Sequence, residues 1–290
     1  MKFGIMAPYM MGPVEDGAYA AGFAQLAEES GFESVWVVDH VVMCPDYGSR
    51  YPYSPDGRSP FHADVVQPDP LIWLTWAAAA TSRIRLGTGI LILPIRNPVV
   101  LAKAVASLDR LSGGRLLLGI GVGWVREEFE AAGADFATRG RRTDDAIEAM
   151  RALWREPLSS HAGEFARFEE VVSRPKPASA EGVPIHVGGH SVAAARRAGR
   201  LGDGFYPLGV QGEALAELLA EMAASAREAG RDPSAIEITA VGSLEHEVAQ
   251  GYADLGVNRM CISPPTGDLD VLRPVLEKFR SEVIDPLSEG

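Results

Sequence analysis

Eight times along the chain a short apolar segment gives way to a stretch of helical periodicity, and this alternation limits the possible folds more than any other feature. The apolar segments are Lys2–Pro8, Ser34–His40, Arg85–Leu93, Arg115–Gly123, Pro184–Gly189, Asp203–Leu208, Ile236–Val241 and Arg259–Ser263. Helical stretches follow at Gly17–Ser30, Pro70–Thr81, Pro98–Leu111, Val125–Ala132 with Arg142–Arg155, Ser191–Ala198, Gln211–Ala229, a run ending near Leu255, and Asp270–Val283. The strands lack polar alternation, as expected of parallel strands buried on both faces. Eight such pairs in 290 residues, 47% of them hydrophobic, predict an α/β fold. Its specific form is one (β/α)8 TIM barrel domain over residues 1–290. Two insertions interrupt the series. Cys44–Gln67, after the second strand, is rich in Pro, Tyr and Asp; Pro157–Arg174, after the fourth helix, contains HAGEFARFEEVV and reads as a hairpin.

Charge narrows the partners. Lys plus Arg is 27 against 39 for Asp plus Glu, a net charge of -12. That balance opposes docking on nucleic acid or an anionic membrane, though a local pocket of donors could still hold an anionic small ligand. With only Cys44 and Cys261, no disulfide framework or zinc ribbon is available. The N-terminus lacks a clean signal peptide. The longest apolar run, Leu71–Ala80, falls short of the roughly 20 residues a membrane span needs. A soluble, cytoplasmic protein is expected.

Barrels of this kind do chemistry at the C-terminal ends of their strands. There the second strand offers Asp39-His40, a carboxylate beside the side chain that titrates near neutrality, and the third offers Gly87-Thr88-Gly89-Ile90. The fourth ends GIGVG (119–123) before Trp124, Arg126, Glu127 and Glu128. Its glycine spacing misses a dinucleotide fingerprint but would let the backbone approach a flat ring. Glu127 and Glu128 suit a solvated first helical turn, with one of them free to point inward as an acid or base. VGGHS (187–191) has the strand–turn–helix form by which backbone N–H groups and a hydroxyl bind phosphate. Two rival readings of VGGHS are an N-cap serine and a serine-hydrolase elbow at Ser191, the latter misfitting at Ala193. The six histidines form no metal-binding spacing.

Together, WVVDH, LGTGILIL, NPVVLAKAVASLDRLSGGRLLLGIGVGW and IHVGGHSVAAARRAGRLGDGFYPLG resemble the bacterial luciferase-like oxidoreductases, whose members use FMN or the deazaflavin coenzyme F420. The flavour is that of the F420-dependent subgroup. The resemblance implies hydride transfer between F420 and a small hydrophobic or aromatic substrate, with His40 and Glu128 as the catalytic residues. Asp39 would orient His40 or bind the ring edge, and Glu128 would line the substrate side. Thr88, Gly89, Ile90, Val122 and Gly123 would flank the cofactor ring, with a cis peptide at Gly89–Ile90. Gly188, Gly189, His190 and Ser191 would receive the phosphate. The alternative is an FMNH2-dependent monooxygenase of the same family. The partners implied are a small-molecule substrate, a separate reductase supplying reduced cofactor, and a second copy of the chain. Two departures stand out: Trp124 where some F420 members carry an acid, and Pro207-Leu208-Gly209 where others carry lysines.

Overall fold

The computed structural model describes residues 1–288. Its strands are β1 (Lys2–Met6), β2 (Ser34–Val37), β3 (Arg85–Thr88), β4 (Leu91–Ile92), β5 (Leu116–Gly121), β6 (Ser159–Ala162), β7 (Arg167–Val171), β8 (Ile185–Gly188), β9 (Gly204–Tyr206), β10 (Glu237–Gly242) and β11 (Arg259–Ile262). In the order β3-β2-β1-β11-β10-β9-β8-β5 they pair in parallel, and β3 meets β5 at Leu86–Leu116 and Gly87–Leu117. That last pairing closes an eight-stranded barrel. Where one continuous third strand was expected, the chain bends at a cis Gly89–Ile90 peptide and resumes as β4, which pairs with the end of β5. β6 and β7 form the expected antiparallel hairpin.

Helices α1 (Gly17–Glu29), α2 (Pro70–Ala80), α3 (Pro98–Leu111), α4 (Arg126–Ala131), α5 (Arg139–Arg155), α6 (Val192–Leu201), α7 (Gly212–Glu228), α8 (His246–Asp254) and α9 (Leu269–Phe279) complete the units. Their starts are written in the sequence. Asp16, Asp69, Asn97 and Asp268 each accept two backbone N–H bonds at a helix N-terminus, and Pro70 and Pro98 sit where a missing N–H costs nothing. Each cap is worth about 1 kcal/mol. Helix α9 loses α geometry after Phe279, runs on as a π-helical turn over Arg280–Ile284 and ends in a short α turn, α10 (Asp285–Ser288).

Two cores result. The larger lies between strands and helices, where Phe23, Leu74, Val105, Ile147 and Leu276 meet Val35, Leu86, Leu118 and Ile185. The smaller fills the barrel itself with Trp36, Leu117, Tyr206 and Cys261, against Met6, Ile90 and Val241. Trp36 makes this interior crowded. A Cβ on Gly87 would come within 2.4 Å of the indole, and one on Gly119 within 1.8 Å of the Thr88 carbonyl oxygen.

At the N-terminal ends of the strands the barrel is plugged by an ion network. Arg259, fully buried, donates to both oxygens of Glu33 at 2.8 Å and to Glu237 at 2.7 Å. Lys2 also bonds Glu237, and His186 Nε2 lies 3.6 Å from it. Burial and the Arg259 cation hold His186 down at about 4 from an ordinary 6.5. Burial pushes Glu237 up, but Arg259, Lys2 and His186 together outweigh it and hold the carboxyl at about 2 against an ordinary 4.5. In both cases the unfolded chain takes up a proton before the native one does. Acid therefore removes stability from about pH 6.5 to 4 at His186 and from about 4.5 to 2 at Glu237. The urea midpoint should fall steadily from about pH 7 to pH 4, and His186→Gln should flatten that slope. A midpoint constant over the interval would refute the linkage.

Candidate active site

At the opposite end of the barrel, residues that follow β2, β3, β5 and β8 enclose a cavity of about 990 Å3. The insertion after β2 covers it. Asp39 and His40, adjacent in sequence, have separate partners there. His40 Nδ1 lies 2.9 Å from Glu128 Oε2, while Glu128 Oε1 accepts the Val41 N–H at 2.7 Å. Glu128 is completely buried. A carboxylate behind Nδ1 keeps a proton on that nitrogen and leaves Nε2 for the cavity. Asp39 is clamped elsewhere: Oδ2 accepts Ile92 N–H at 2.9 Å and Oδ1 accepts Arg96 Nη2 at 2.8 Å. Burial pushes the Asp39 carboxyl above the usual range, with Arg96 pulling it back.

Three sequence expectations change. The carboxylate that orients His40 is Glu128 and not Asp39, which instead ties the strand-two end to β4. Glu128 does not line the substrate side, because His40 stands between it and the cavity. Thr88 does not reach the cavity either: its hydroxyl is buried and donates to the Gly119 carbonyl at 2.6 Å. Arg96 escaped notice, since its partner Asp39 lies 57 residues earlier.

The remaining candidates come together. Gly89, Ile90, Val122 and Gly123 line the floor, and Gly188, Gly189, His190 and Ser191 line one end. Ile90 is wedged between two strands. A Cβ on Gly121 would approach its Cδ1 to 2.4 Å, and one on Gly188 its Cγ2 to 2.5 Å. Gly123 and Gly189, at φ +76 and +120, turn the chain through conformations that a side chain resists. Ser191 caps α6, its Oγ accepting the Ala194 N–H at 3.2 Å. Among the described residues no histidine bonds that hydroxyl, and the His190 ring packs on Tyr53 at 4.7 Å. Ser191 thus lacks the base a hydrolase nucleophile needs, which removes the hydrolase reading.

Beside Ser191 stand cations that the VGGHS reading overlooked. Arg139 from α5, Arg197 from α6 and Arg126 from α4 line the cavity. Arg197 pairs with Asp144. Arg139 and Arg126 instead share the Phe136 ring, at 3.9 and 4.8 Å, and among the described residues neither has a carboxylate partner. Burial, then the neighbouring Arg126, pulls the Arg139 pKa down. The sequence did carry a signal: RGRRTDD puts three arginines in the first turn of α5, where the helix dipole disfavours cations. Buried Arg139 Nε and His190 Nδ1 have no partner within the protein. These orphaned polar atoms, with the glycine turn and the Ser191 cap, fit the phosphate end of a flavin-type cofactor. A backbone-only cradle is too narrow a description.

Aromatic rings close the roof. His40 and Trp124 lie 6.0 Å apart, Trp124 and Tyr51 5.0 Å, Tyr51 and Tyr53 5.3 Å, and Tyr53 and His190 4.7 Å. Tyr47 joins Trp124 at 5.2 Å. Among the described residues no set of three or more His, Cys, Asp or Glu side chains could hold a metal ion, and no helix is long and apolar enough to cross a membrane.

Known proteins are similar to this chain in sequence and in fold. A protein of Mycobacterium tuberculosis with no assigned activity is 31% identical over 278 residues, covering 93% of this chain and 96% of its own. The F420-dependent glucose-6-phosphate dehydrogenase of Kineococcus radiotolerans is 36% identical over 75% of this chain and 62% of its own length. In fold, the chain resembles the monooxygenase RslO1 of Streptomyces bottropensis, with TM-score 0.78 and 23% identity over 99% of this chain and 100% of that one. It likewise resembles the coenzyme F420-dependent tetrahydromethanopterin reductase of Methanopyrus kandleri, with TM-score 0.75 and 16% identity over 98% and 99% of the two chains. The luciferase-like monooxygenase family matches residues 1–244, and the chain belongs to that family.

Proposed function

We propose that the protein is an F420-dependent oxidoreductase acting on a small hydrophobic or aromatic organic substrate. The observation that carries this reading is the His40–Glu128 pair, backed by burial and open at Nε2 to a cavity with an aromatic roof and a cationic end. The dehydrogenase of Kineococcus radiotolerans, similar over most of this chain, supports the choice of cofactor. When bound, F420 supplies a ring carbon that accepts or donates hydride.

The chain's own residues do the rest. Ile90, Val122 and Gly123 would lie against the ring, and Gly188–Ser191 with Arg139 and Arg197 would hold the phosphate. His40 gives or takes the proton that accompanies hydride movement, through Nε2. Glu128 holds the ring in place and stabilises the imidazolium when it forms, the role a buried carboxylate plays behind a catalytic histidine. Tyr51, Tyr53 and Trp124, with Tyr47 packed against Trp124, exclude water, and the first three offer edges and faces on which an aromatic substrate packs. The homodimer belongs to the same proposal, and sedimentation of the purified protein checks it.

Titration with F420 and FMN side by side tests the assignment. F420 should bind the more tightly, and Arg139→Ala should weaken it about tenfold, or ~1.4 kcal/mol. Tight FMN binding with oxygen uptake would replace the proposal by an FMN-dependent monooxygenase fed by a separate reductase.

A further inference from the structure

The first turn of α4 holds two things at once. Glu128 fixes His40 and Val41, where the chain leaves β2. One residue earlier, Glu127 points away and grips the covering segment: Oε1 accepts the Gly48 N–H at 2.6 Å and Oε2 accepts the Ser49 hydroxyl at 2.9 Å. Backbone donors, Gly48 N–H among them, pull the Glu127 carboxyl below its usual range, as expected of an acceptor in use.

Ser49 also reciprocates. Its Oγ accepts the Arg126 N–H at 2.9 Å, which does for α4 what a capping residue normally does from within the helix. The helix needs this help. It is six residues long, its own N-cap is Val125, and Val125 offers no side-chain hydrogen bond. So short a helix has little stability of its own, and its free N–H groups must find acceptors. Phe129, fully buried, pins the far side of the turn. What remains free to loosen is the start, which carries Glu127 and Glu128 together.

We infer that Ser49 and Glu127 form a latch through which seating of the 44–67 segment sets the His40–Glu128 pair. Seating places Tyr47 and Tyr51 on Trp124 and caps α4 in one movement. The capped turn then holds Glu128 against His40 Nδ1. With the segment away, the Arg126 N–H loses its acceptor, the turn frays, and the carboxylate behind His40 loses its fixed position. Closure of the roof and orientation of the histidine are one event. Ser49 and Glu127 are positioning residues, and their effect on turnover rests on the function proposed above; the coupling itself does not.

The experiment uses the full chain without cofactor for two readouts and with it for a third. The first is trypsin cleavage after Arg50 and Arg58, two exposed arginines of the segment. The second is the His40 Nδ1–H resonance in 15N-histidine-labelled protein, assigned by its absence from His40→Gln. Ser49→Ala should speed cleavage about tenfold and broaden or abolish the resonance. It should lower kcat several-fold with little change in KM, and Ser49→Thr should restore all three. Glu127→Ala should reproduce the Ser49→Ala pattern, guarding against a fault peculiar to one variant. Faster cleavage with an unchanged resonance overturns the coupling, and unchanged cleavage in both variants overturns the latch. A protein that never turns over F420 yet shows the resonance tied to Ser49 refutes the proposed function and keeps the coupling.

Discussion

Glutamine in place of His40 is expected to cut turnover by roughly 10²- to 10⁴-fold, the range that removal of a general acid or base produces. Glutamine can still bond Glu128, so the buried carboxylate is not stranded, but its amide cannot take up and release a proton in place of the imidazole. Cofactor affinity should stay within about twofold of the parent, because the proposed phosphate contacts lie at the other end of the cavity. Rapid mixing under anaerobic conditions separates binding from the hydride step. If the variant transfers hydride at the parent rate, the proton moves by another route and His40 is only part of the wall.

The second large effect is expected far from any chemistry. Arg259→Leu removes the cation between Glu33 and Glu237 and leaves two carboxylates facing each other at the plugged end of the barrel. Breaking a buried pair from one side costs about 3–5 kcal/mol. Since the Glu33 and Glu237 side chains keep 25% and 19% exposure, the loss should lie at the lower end, about 3 kcal/mol. Lysine should rescue only part, because an ammonium cannot reach both Glu33 oxygens and Glu237 in the guanidinium's planar pattern. Replacing Glu33, Glu237 and Arg259 together by apolar residues should recover most of the loss. Denaturant titrations of the three variants measure this directly. Equal stability of parent and Arg259→Leu would show that water, rather than Arg259, solvates the two glutamates.

How far the sequence foretold these features depended on the distance over which each is determined. Strand–helix units are local, so hydrophobic period, the Asp-Pro and Asn-Pro helix starts and the glycine stops revealed all eight. The end of β8 was equally readable, since a turn of two glycines and a capping serine is one short segment. The bend at Gly89–Ile90 came only with the family resemblance, which implied a cis peptide there; periodicity alone read LGTGILIL as part of one unbroken strand. Pairings that exist only once the barrel closes were beyond reach. Arg96 finds Asp39 across 57 residues, and Arg259 finds Glu33 across 226. The two glutamates of α4 fell between these cases. Successive helical residues differ by about 100° in direction, so neighbours with the same chemistry must serve different faces. Which one turns inward shows only in the packed helix, where Glu128 is buried along with Phe129.

Ile90 has one more consequence, and it concerns descent rather than chemistry. Its side chain fills space that Gly121 and Gly188 leave vacant on two different strands. An alanine at either glycine would put its methyl well inside contact distance of Ile90, so the isoleucine must turn aside or shrink to admit it. At position 188 the Ile120 carbonyl, 3.1 Å from the new Cβ, leaves little further room. Among relatives, then, a side chain at 121 or 188 should go with a smaller residue at 90, and a lineage that has made that exchange can explore pocket floors that this chain's isoleucine fills.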